Sequence, residues 1–165
     1  MRVLLAGATG YLGGRLSDYL SLRGFEVIAL LRTIPADEQW LNQFTQVVEG
    51  DISVNKTIEE IGCQSVDAVV YAISLNHFES ENEIDQCQRI NVAPLWRLLD
   101  QLSLKSLKRF IYISTQQVYG RTGTNSVNEE SSVTPQNNYG LTHLMCENIT
   151  RLYHTRNKIS SINLR

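Results

Sequence analysis

The sequence predicts an α/β fold in which helices cover both faces of a doubly wound, mainly parallel, six-stranded sheet. Two observations predict it. Short apolar runs alternate with stretches of helical periodicity, as in successive βα units, and a glycine-rich turn joins the first run to the first helical stretch. Because crossovers between parallel strands are right-handed, we expect the strand order 3-2-1-4-5-6, with a ligand crevice beyond the carboxyl ends of the strands.

The predicted strands are short runs rich in Val, Ile and Leu. The first, fourth and fifth are continuous enough to be buried on both faces of the sheet. The first run stops at Gly7, which is too early for a signal-peptide core or a membrane span. The six strands are Arg2–Ala6, Glu26–Leu31, Gln46–Glu49, Ala68–Ala72, Arg109–Ser114 and Ser160–Leu164.

The predicted helices lie between these strands. The first ends at Gly24, a residue suited to the left-handed turn that closes a helix. The fourth contains Pro94, which predicts a kink or a change of register near Asn91, or else a helix that starts later. Asn91 lies on the apolar stripe of this helix, so we expect its amide to bind neighbouring backbone. The helices are Tyr11–Arg23, Ala36–Phe44, Ile58–Gly62, Ile84–Leu102 and Asn138–Thr155.

Composition excludes several classes of protein. With 165 residues, 42% of them hydrophobic and 19% charged, the chain has the profile of one globular domain. The net charge is −2 and the basic residues are scattered, so neither nucleic acid nor a membrane is an expected partner. Three widely spaced cysteines fit neither a disulfide framework nor a zinc site, which favours the reducing cytoplasm. His77 and His154 have no partner at ligand spacing, so no metal is expected.

The glycine turn is the first candidate binding site. Glycine at 7 permits a tight turn, glycine at 10 lets backbone N–H groups approach a pyrophosphate, and glycine at 13 lets the helix pack closely on the sheet. The dipole of the helix that follows favours an anion. The alternative is a tight strand-to-helix connection with no ligand. The candidate pyrophosphate-binding residues are Gly7, Thr9, Gly10, Tyr11, Leu12 and Gly13.

The end of the second strand bears on the choice of cofactor. A carboxylate there would bind the adenosine ribose of NAD, but the strand ends Leu30-Leu31-Arg32. Arg32 can instead bind the 2′-phosphate of NADP, so NADP is favoured over NAD. The alternative is that Arg32 is a solvated surface residue.

Two further motifs carry a resemblance to a known family. They are Ser114-Thr115-Gln116-Gln117-Val118-Tyr119-Gly120 and Tyr139-Gly140-Leu141-Thr142-His143. With the glycine turn, they make the chain resemble the extended short-chain dehydrogenase/reductases, in particular the nucleotide-sugar members of the NAD-dependent epimerase/dehydratase family. The resemblance runs from Met1 to Arg165 and implies a Rossmann-type fold. Gly50-Asp51-Ile52 is similar to the family's adenine-contacting segment, and Asn91-Val92 to its Asn-Val pair.

The resemblance also implies an activity. In this family a hydride passes from a sugar carbon to the nicotinamide while a tyrosine removes the hydroxyl proton. Tyr139 occupies that tyrosine's place, and Thr115, with Ser114 as its neighbour, matches the Ser/Thr that binds the reacting oxygen. Ala72 and Ser74 lie where the family places small residues beside the nicotinamide. Taken alone, Thr115 could merely cap a strand and Tyr139 merely pack at a helix start.

The family's second lobe, which binds the nucleotide sugar, is expected to be missing, so residues 1–165 are interpreted as a cofactor-binding fragment. The complete enzyme would take a nucleotide sugar as substrate. Members of the family commonly dimerise through two helices, which correspond to the predicted fourth and fifth helices of this chain. The resemblance therefore implies a homodimer.

The chain departs from the family pattern at His143, where the family has a lysine that binds the nicotinamide ribose and activates the tyrosine. A neutral, shorter histidine predicts weak or lost turnover. Helical spacing places Glu147 one turn away, where it could raise the pKa of His143 and make it a partial cation. The alternative is a weak surface ion pair. Gln116 and Gln117 stand where the family's dehydratases have Asp and Glu, and this disfavours sugar dehydration.

Three hypotheses follow from the sequence. The leading one is an NAD(P)-dependent sugar-nucleotide epimerase or reductase in which Thr115, Tyr139 and His143 form the catalytic site. The second is a non-catalytic protein that binds NAD(P) as a structural or sensing ligand. The third is a chain that binds neither cofactor because its cleft is incomplete.

Overall fold

Six parallel strands form a single sheet in the computed structural model, which describes residues 1–103, 105, 107–124, 126–157 and 159–165. The strands are β1 (Arg2–Ala6), β2 (Glu26–Leu31), β3 (Gln46–Glu49), β4 (Ala68–Tyr71), β5 (Arg109–Ile113) and β6 (Ser160–Leu164). Their order is β3-β2-β1-β4-β5-β6, and every neighbouring pair is parallel. The predicted fold class and strand order are confirmed.

Two strands end one residue earlier than predicted. The N–H of Ala72 still donates to the carbonyl of Ala6 at 2.9 Å, and the N–H of Ser114 donates to that of Leu164 at 2.6 Å. After these bonds the chain leaves the sheet. The carboxyl ends of β4 and β5 therefore open towards the same edge as the end of β1.

The described residues form seven α-helices around the sheet. They are α1 (Tyr11–Leu22), α2 (Glu38–Leu41), α3 (Asn55–Gly62), α4 (His77–Asn82), α5 (Ile84–Cys87), α6 (Ala93–Ser103) and α7 (Asn138–Asn157). The first closes before Gly24, whose φ of +76° is the left-handed conformation that the sequence predicts. Within the described residues, no helix is both long and apolar enough to cross a lipid bilayer.

The second helix is much shorter than the predicted Ala36–Phe44. The side chain of Asp37 accepts a hydrogen bond from the N–H of Trp40 at 3.0 Å, so this residue caps the helix and Glu38 begins it. Beyond Leu41 the chain turns, and the rings of Trp40 and Phe44 pack edge to face at 4.7 Å. The capping carboxylate thus sets the start of the helix, and the turn with its aromatic contact replaces the last three residues of the predicted helix.

The long helix predicted at Ile84–Leu102 is divided. A π-helical turn, Gln88–Val92, separates α5 from α6. Because Pro94 has no N–H to donate to the carbonyl of residue 90, the regular helical bond is missing there, and the wider turn accommodates the loss. The predicted change of register near Asn91 is confirmed.

The core lies in two layers, one on each face of the sheet. One layer joins alternate residues of the strands to α3, α6 and α7, and the other joins the remaining strand residues to α1 and α2. Leu4 and Leu5 are both fully buried although they point to opposite faces. A strand buried on both faces is held rigidly, which fixes the position of the turn that follows β1.

Candidate functional site

A crevice of about 310 Å³ lies at the carboxyl ends of the strands. It is lined by Gly7, Thr9, Gly10, Leu30, Arg32, Gly50, Asp51, Ile52, Ala72, Ile73, Ser74 and Ile90. Eight candidate cofactor-binding residues are among these: Gly7, Thr9, Gly10, Arg32, Asp51, Ile52, Ala72 and Ser74. The catalytic candidate Thr115 does not line the crevice, and neither do the six remaining cofactor-binding candidates: Tyr11, Leu12, Gly13, Asn91, Tyr139 and His143. A larger hollow of about 680 Å³ beside β6 is lined by none of the candidate residues.

The glycine turn lines part of the crevice. Gly7 has a φ of +96°, and a Cβ added to it would lie 2.7 Å from the carbonyl oxygen of Ala72. A Cβ at Gly13 would overlap the carbonyl of Gly7, so this glycine lets α1 approach the strand. Gly10 begins α1 without a side-chain cap, and no acidic residue lies in the first turn. The free N–H groups and the helix dipole therefore favour an anion at this point.

Arg32 and Asp51 line the crevice just beyond the carboxyl ends of β2 and β3. The carboxylate of Asp51 accepts a hydrogen bond from the N–H of Ser53 at 2.8 Å. Hydrogen bonds from Ser53 lower the pKa of Asp51, burial opposes them, and the charges of Arg32 and Arg89 lower it further. Asp51 is therefore ionised at neutral pH and can accept a hydrogen bond from a ligand.

The buried side chain of Asn91 ties three segments together. Its Oδ1 accepts from the N–H of Leu75 at 2.7 Å, and its Nδ2 donates to Oγ1 of Thr142 at 3.0 Å and to Sγ of Cys87 at 3.4 Å. It is only 1% exposed. The predicted tie to neighbouring backbone is confirmed: Asn91 holds the segment that follows Ser74.

Thr115 and Tyr139 lie on adjoining segments. The hydroxyl of Thr115 accepts a bond from the N–H of Gln117 at 3.3 Å and so begins a 3₁₀ turn, Gln116–Tyr119. Gln117 accepts a bond from Asn137 at 2.6 Å just before α7. The N–H of Tyr139 approaches a carboxylate oxygen of Glu81 at 3.4 Å. The turn that carries Thr115 is therefore fixed against the start of the helix that carries Tyr139.

His143 is a buried, neutral histidine. Its side chain is 2% exposed, its ring centroid is 4.4 Å from that of Tyr139, and its Nδ1 lies 2.8 Å from the hydroxyl of Tyr112. Its Nε2 has no hydrogen-bond partner among the described residues. Burial lowers the pKa of His143 to about 4, although the charge of Glu147 acts in the opposite direction.

Both hypotheses for the pair formed by His143 and Glu147 are wrong. His143 is not a partial cation, because burial outweighs the charge of Glu147. Glu147 does not form a surface pair, because it is fully buried and bound by other groups. Burial alone would raise the pKa of Glu147. Hydrogen bonds from Arg165 and Ser114, with the charges of Arg165 and Arg151, lower it instead.

Sequence reasoning missed two partners that shape this region. Tyr112 holds His143, and the guanidinium of Arg165 lies 2.7 Å from the carboxylate of Glu147. The signal for Tyr112 was a tyrosine inside an apolar strand, since a buried phenol usually finds a hydrogen-bond partner. The signal for Arg165 was the glutamate itself, since a buried carboxylate requires a cation.

The chain is similar to a known protein family over almost its whole length. Residues 3–165 match the model of a family described as "NAD dependent epimerase/dehydratase family". UDP-glucose 4-epimerase 4 of Oryza sativa is 28% identical over 177 residues, which cover 99% of this chain and 48% of that protein. dTDP-D-glucose 4,6-dehydratase of Dictyostelium discoideum is 24% identical over 186 residues, or 98% of this chain and 42% of that protein.

A solved structure of the same fold contains a cofactor. UDP-glucuronic acid 4-epimerase from Bacillus cereus, in complex with UDP-glucuronic acid and NAD, superimposes with a TM-score of 0.87 at 27% identity. The match covers 100% of this chain and 56% of that one. The chain thus spans about half the length of the relatives it matches.

Proposed function

Because the chain belongs to the NAD dependent epimerase/dehydratase family, we propose that it binds NAD or NADP in the 310 Å³ crevice as the cofactor-binding part of a nucleotide-sugar epimerase or reductase. The observation that carries the proposal is the crevice itself. It brings together the glycine turn, Arg32, Asp51 and Ala72, which follow four different strands of the sheet.

The residues of the crevice fit a dinucleotide. The backbone of Gly7, Thr9, Gly10, Tyr11, Leu12 and Gly13 would hold the pyrophosphate at the start of α1. Gly7 and Gly13 support this, because a Cβ at either position would collide with backbone and displace the turn at the start of α1. Asp51 and Ile52 would contact the adenine, and Ala72 and Ser74 would lie beside the nicotinamide.

We favour NADP over NAD because of Arg32. It is exposed at the end of β2, no carboxylate stands directly after that strand, and an arginine is suited to binding a 2′-phosphate. The Bacillus cereus relative contains NAD, so the choice between the two cofactors needs a direct measurement.

In the proposed reaction NAD or NADP, when bound, would supply the acceptor for a hydride from a sugar carbon. Tyr139 would accept the proton of the sugar hydroxyl, and Thr115 would hydrogen-bond the reacting oxygen. His143 lacks the charge that would stabilise a tyrosinate, because burial keeps it neutral at pH 7. We therefore expect slow turnover. Gln116 and Gln117 cannot transfer protons, so we expect no dehydration of the sugar.

A nucleotide sugar is the proposed substrate of the whole protein, since the relatives named above act on such compounds. We also propose a homodimer, with the outer faces of α6 and α7 as the interface. Trp96, Leu141 and Met145 are 47%, 45% and 38% exposed on these helices. Light scattering after size-exclusion chromatography tests the assembly, and Met145→Glu should shift it towards monomer.

The second candidate function is a non-catalytic NAD(P)-binding protein, structural or sensing. The neutral, buried His143 favours it, because the site then holds the cofactor without activating Tyr139. A single-turnover assay separates the two candidates. The whole protein, including the lobe that binds the nucleotide sugar, is loaded with oxidised cofactor and mixed with UDP-glucose, and the absorbance of reduced cofactor is followed. A slow rise supports the enzyme, and a flat trace supports the binding protein.

Cofactor binding itself is tested first, by fluorescence titration of the chain with NADH and with NADPH. Saturable binding of either supports both candidates, and tighter binding of NADPH supports the role of Arg32. Absence of binding would contradict the proposal and leave the hypothesis of an incomplete cleft.

A further inference from the structure

The π-helical turn places three successive side chains in three different environments. Arg89 is exposed, Ile90 lines the crevice, and Asn91 is buried in the core. A π-turn widens the helix by one residue, and such turns are frequent at functional sites. Arg89 therefore projects from the same turn that forms one wall of the crevice.

Arg89 and Arg32 have no partner among the residues that the structure describes. Within the described part of the chain, neither guanidinium makes a hydrogen bond or an ion pair, and neither is among the cations stacked on an aromatic ring. The charges of both nevertheless act on Asp51, after the larger effects of the Ser53 hydrogen bonds and of burial on its pKa. Arg32 lines the crevice together with Asp51, and Arg89 directly precedes Ile90, which lines the same crevice.

A third arginine contacts the segment that carries Asp51. The guanidinium of Arg97 on α6 donates to the carbonyl of Ser53 at 3.4 Å, which holds the turn that carries Asp51. Three arginines thus act on the region around Asp51 and Ser53. Arg97 binds the protein backbone, and Arg32 and Arg89 can bind a ligand.

We propose that Arg89 acts with Arg32 to bind a phosphate on the adenosine ribose, so that the crevice selects a 2′-phosphorylated dinucleotide through two elements. The inference rests on the proposed function. A phosphate monoester carries nearly two negative charges at neutral pH, and guanidinium groups bind it with two parallel hydrogen bonds each. The hydroxyl of NAD at this position offers no such charge, so Arg89 adds selectivity rather than general affinity.

The experiment is a pair of titrations, NADPH and NADH, on the unaltered chain, Arg32→Gln, Arg89→Gln and the double variant. Arg23→Gln is the matched control, because this exposed arginine lies at the opposite end of α1, about 18 Å from the glycine turn. We expect Arg89→Gln to weaken NADPH about tenfold and to leave NADH within about twofold. Arg23→Gln should change neither.

A second probe isolates the ribose phosphate from the rest of the cofactor. 2′,5′-ADP should bind more tightly than 5′-AMP or 3′,5′-ADP, and Arg89→Gln should remove most of that difference. Equal weakening of NADH and NADPH by Arg89→Gln would place Arg89 at the pyrophosphate and overturn the inference, as would no change in either.

The outcomes also separate this inference from the proposed function. If both dinucleotides bind but Arg89→Gln has no selective effect, only the inference fails. If neither dinucleotide binds but 2′,5′-ADP binds through Arg89, the phosphate site stands and the dinucleotide function fails. If none of the probes binds, both are overturned.

Discussion

The hydroxyl of Tyr112 lies 2.8 Å from Nδ1 of His143, and the ring of that histidine lies against Tyr139. This contact joins the middle of β5 to the first turns of α7. The family resemblance implies a lysine at position 143, and this chain has there a neutral imidazole that is hydrogen-bonded within the protein. The properties of the candidate site depend on this pair.

Replacement of Tyr112 by phenylalanine should destabilise the fold. It removes the hydrogen bond to Nδ1 and leaves a polar atom buried without a partner, which costs about 1–3 kcal/mol in the free energy of unfolding. Tyr71→Phe is the matched control. Tyr71 is equally buried on the neighbouring strand, and its hydroxyl has no partner among the described residues. Urea unfolding should show a change below about 0.5 kcal/mol for the control. Equal losses would contradict the importance of the bond.

The stability of the protein should fall as the pH drops from about 6.5 to about 4 because of His143. Its pKa in the folded state is lowered to about 4, whereas the unfolded chain titrates near 6.5. The unfolded state therefore takes up a proton first, and the stabilisation present above pH 6.5 is lost progressively, by about 3 kcal/mol in total. Urea unfolding at a series of pH values measures the loss.

His143→Gln is the control for this pH dependence, since glutamine keeps a polar side chain but does not titrate. The difference in unfolding free energy between the two proteins should change over this pH range and be constant above it. A parallel pair of curves would show that the imidazole is accessible to protons in the folded state.

Replacement of Arg165 by methionine should cost about 3 kcal/mol of stability, because it leaves the fully buried carboxylate of Glu147 short of a cation. Arg151→Met is the matched control, because Arg151 contacts the same carboxylate at 3.0 Å but is 52% exposed. Its loss should cost less than about 1 kcal/mol. Thermal or chemical unfolding of the two variants checks the ranking, and a larger loss for Arg151→Met would reverse it.

Replacement of Gly7 by alanine should weaken NAD(P) binding by about tenfold or more. The new methyl group would collide with the carbonyl of Ala72 and displace the phosphate-binding turn. Gly24→Ala is the control. Gly24 also has a positive φ, but a Cβ there meets nothing within 4 Å. It should lower stability by about 1 kcal/mol without affecting the NADH titration. Equal binding by both variants would separate the glycine turn from the cofactor.

The strand order and the crevice could be predicted because they depend on local patterns. Apolar runs such as Val3 to Ala6 determine which segments are buried in the sheet, and handedness limits the order of the strands. The turn at Gly7 and the segment at Asp51 follow such strands directly, so their position at one edge follows from the topology. Pro94 likewise indicated the break in the long helix.

The environment of His143 could not be predicted, because it depends on a contact between residues 31 positions apart. Helical spacing indicated that His143 and Glu147 share a face of α7, but not that β5 and β6 pack against that face. The apolar residues Leu141 and Met145 of α7 are exposed, whereas Thr142, His143 and Glu147 are buried. Hydrogen bonds with Tyr112, Ser114 and Arg165 hold this polar face of α7 towards the sheet.

The π-helical turn makes this region intolerant of changes in length. Removing one residue from Gln88–Val92 would abolish the wide turn and rotate everything before it by about 100° relative to α6. Ile90 would leave the crevice, and α4 would carry Glu81 away from the backbone of Asn138 that it now binds. Substitutions within the turn alter one contact at a time, but an insertion or a deletion would disturb the crevice, the core and the start of α7 at once.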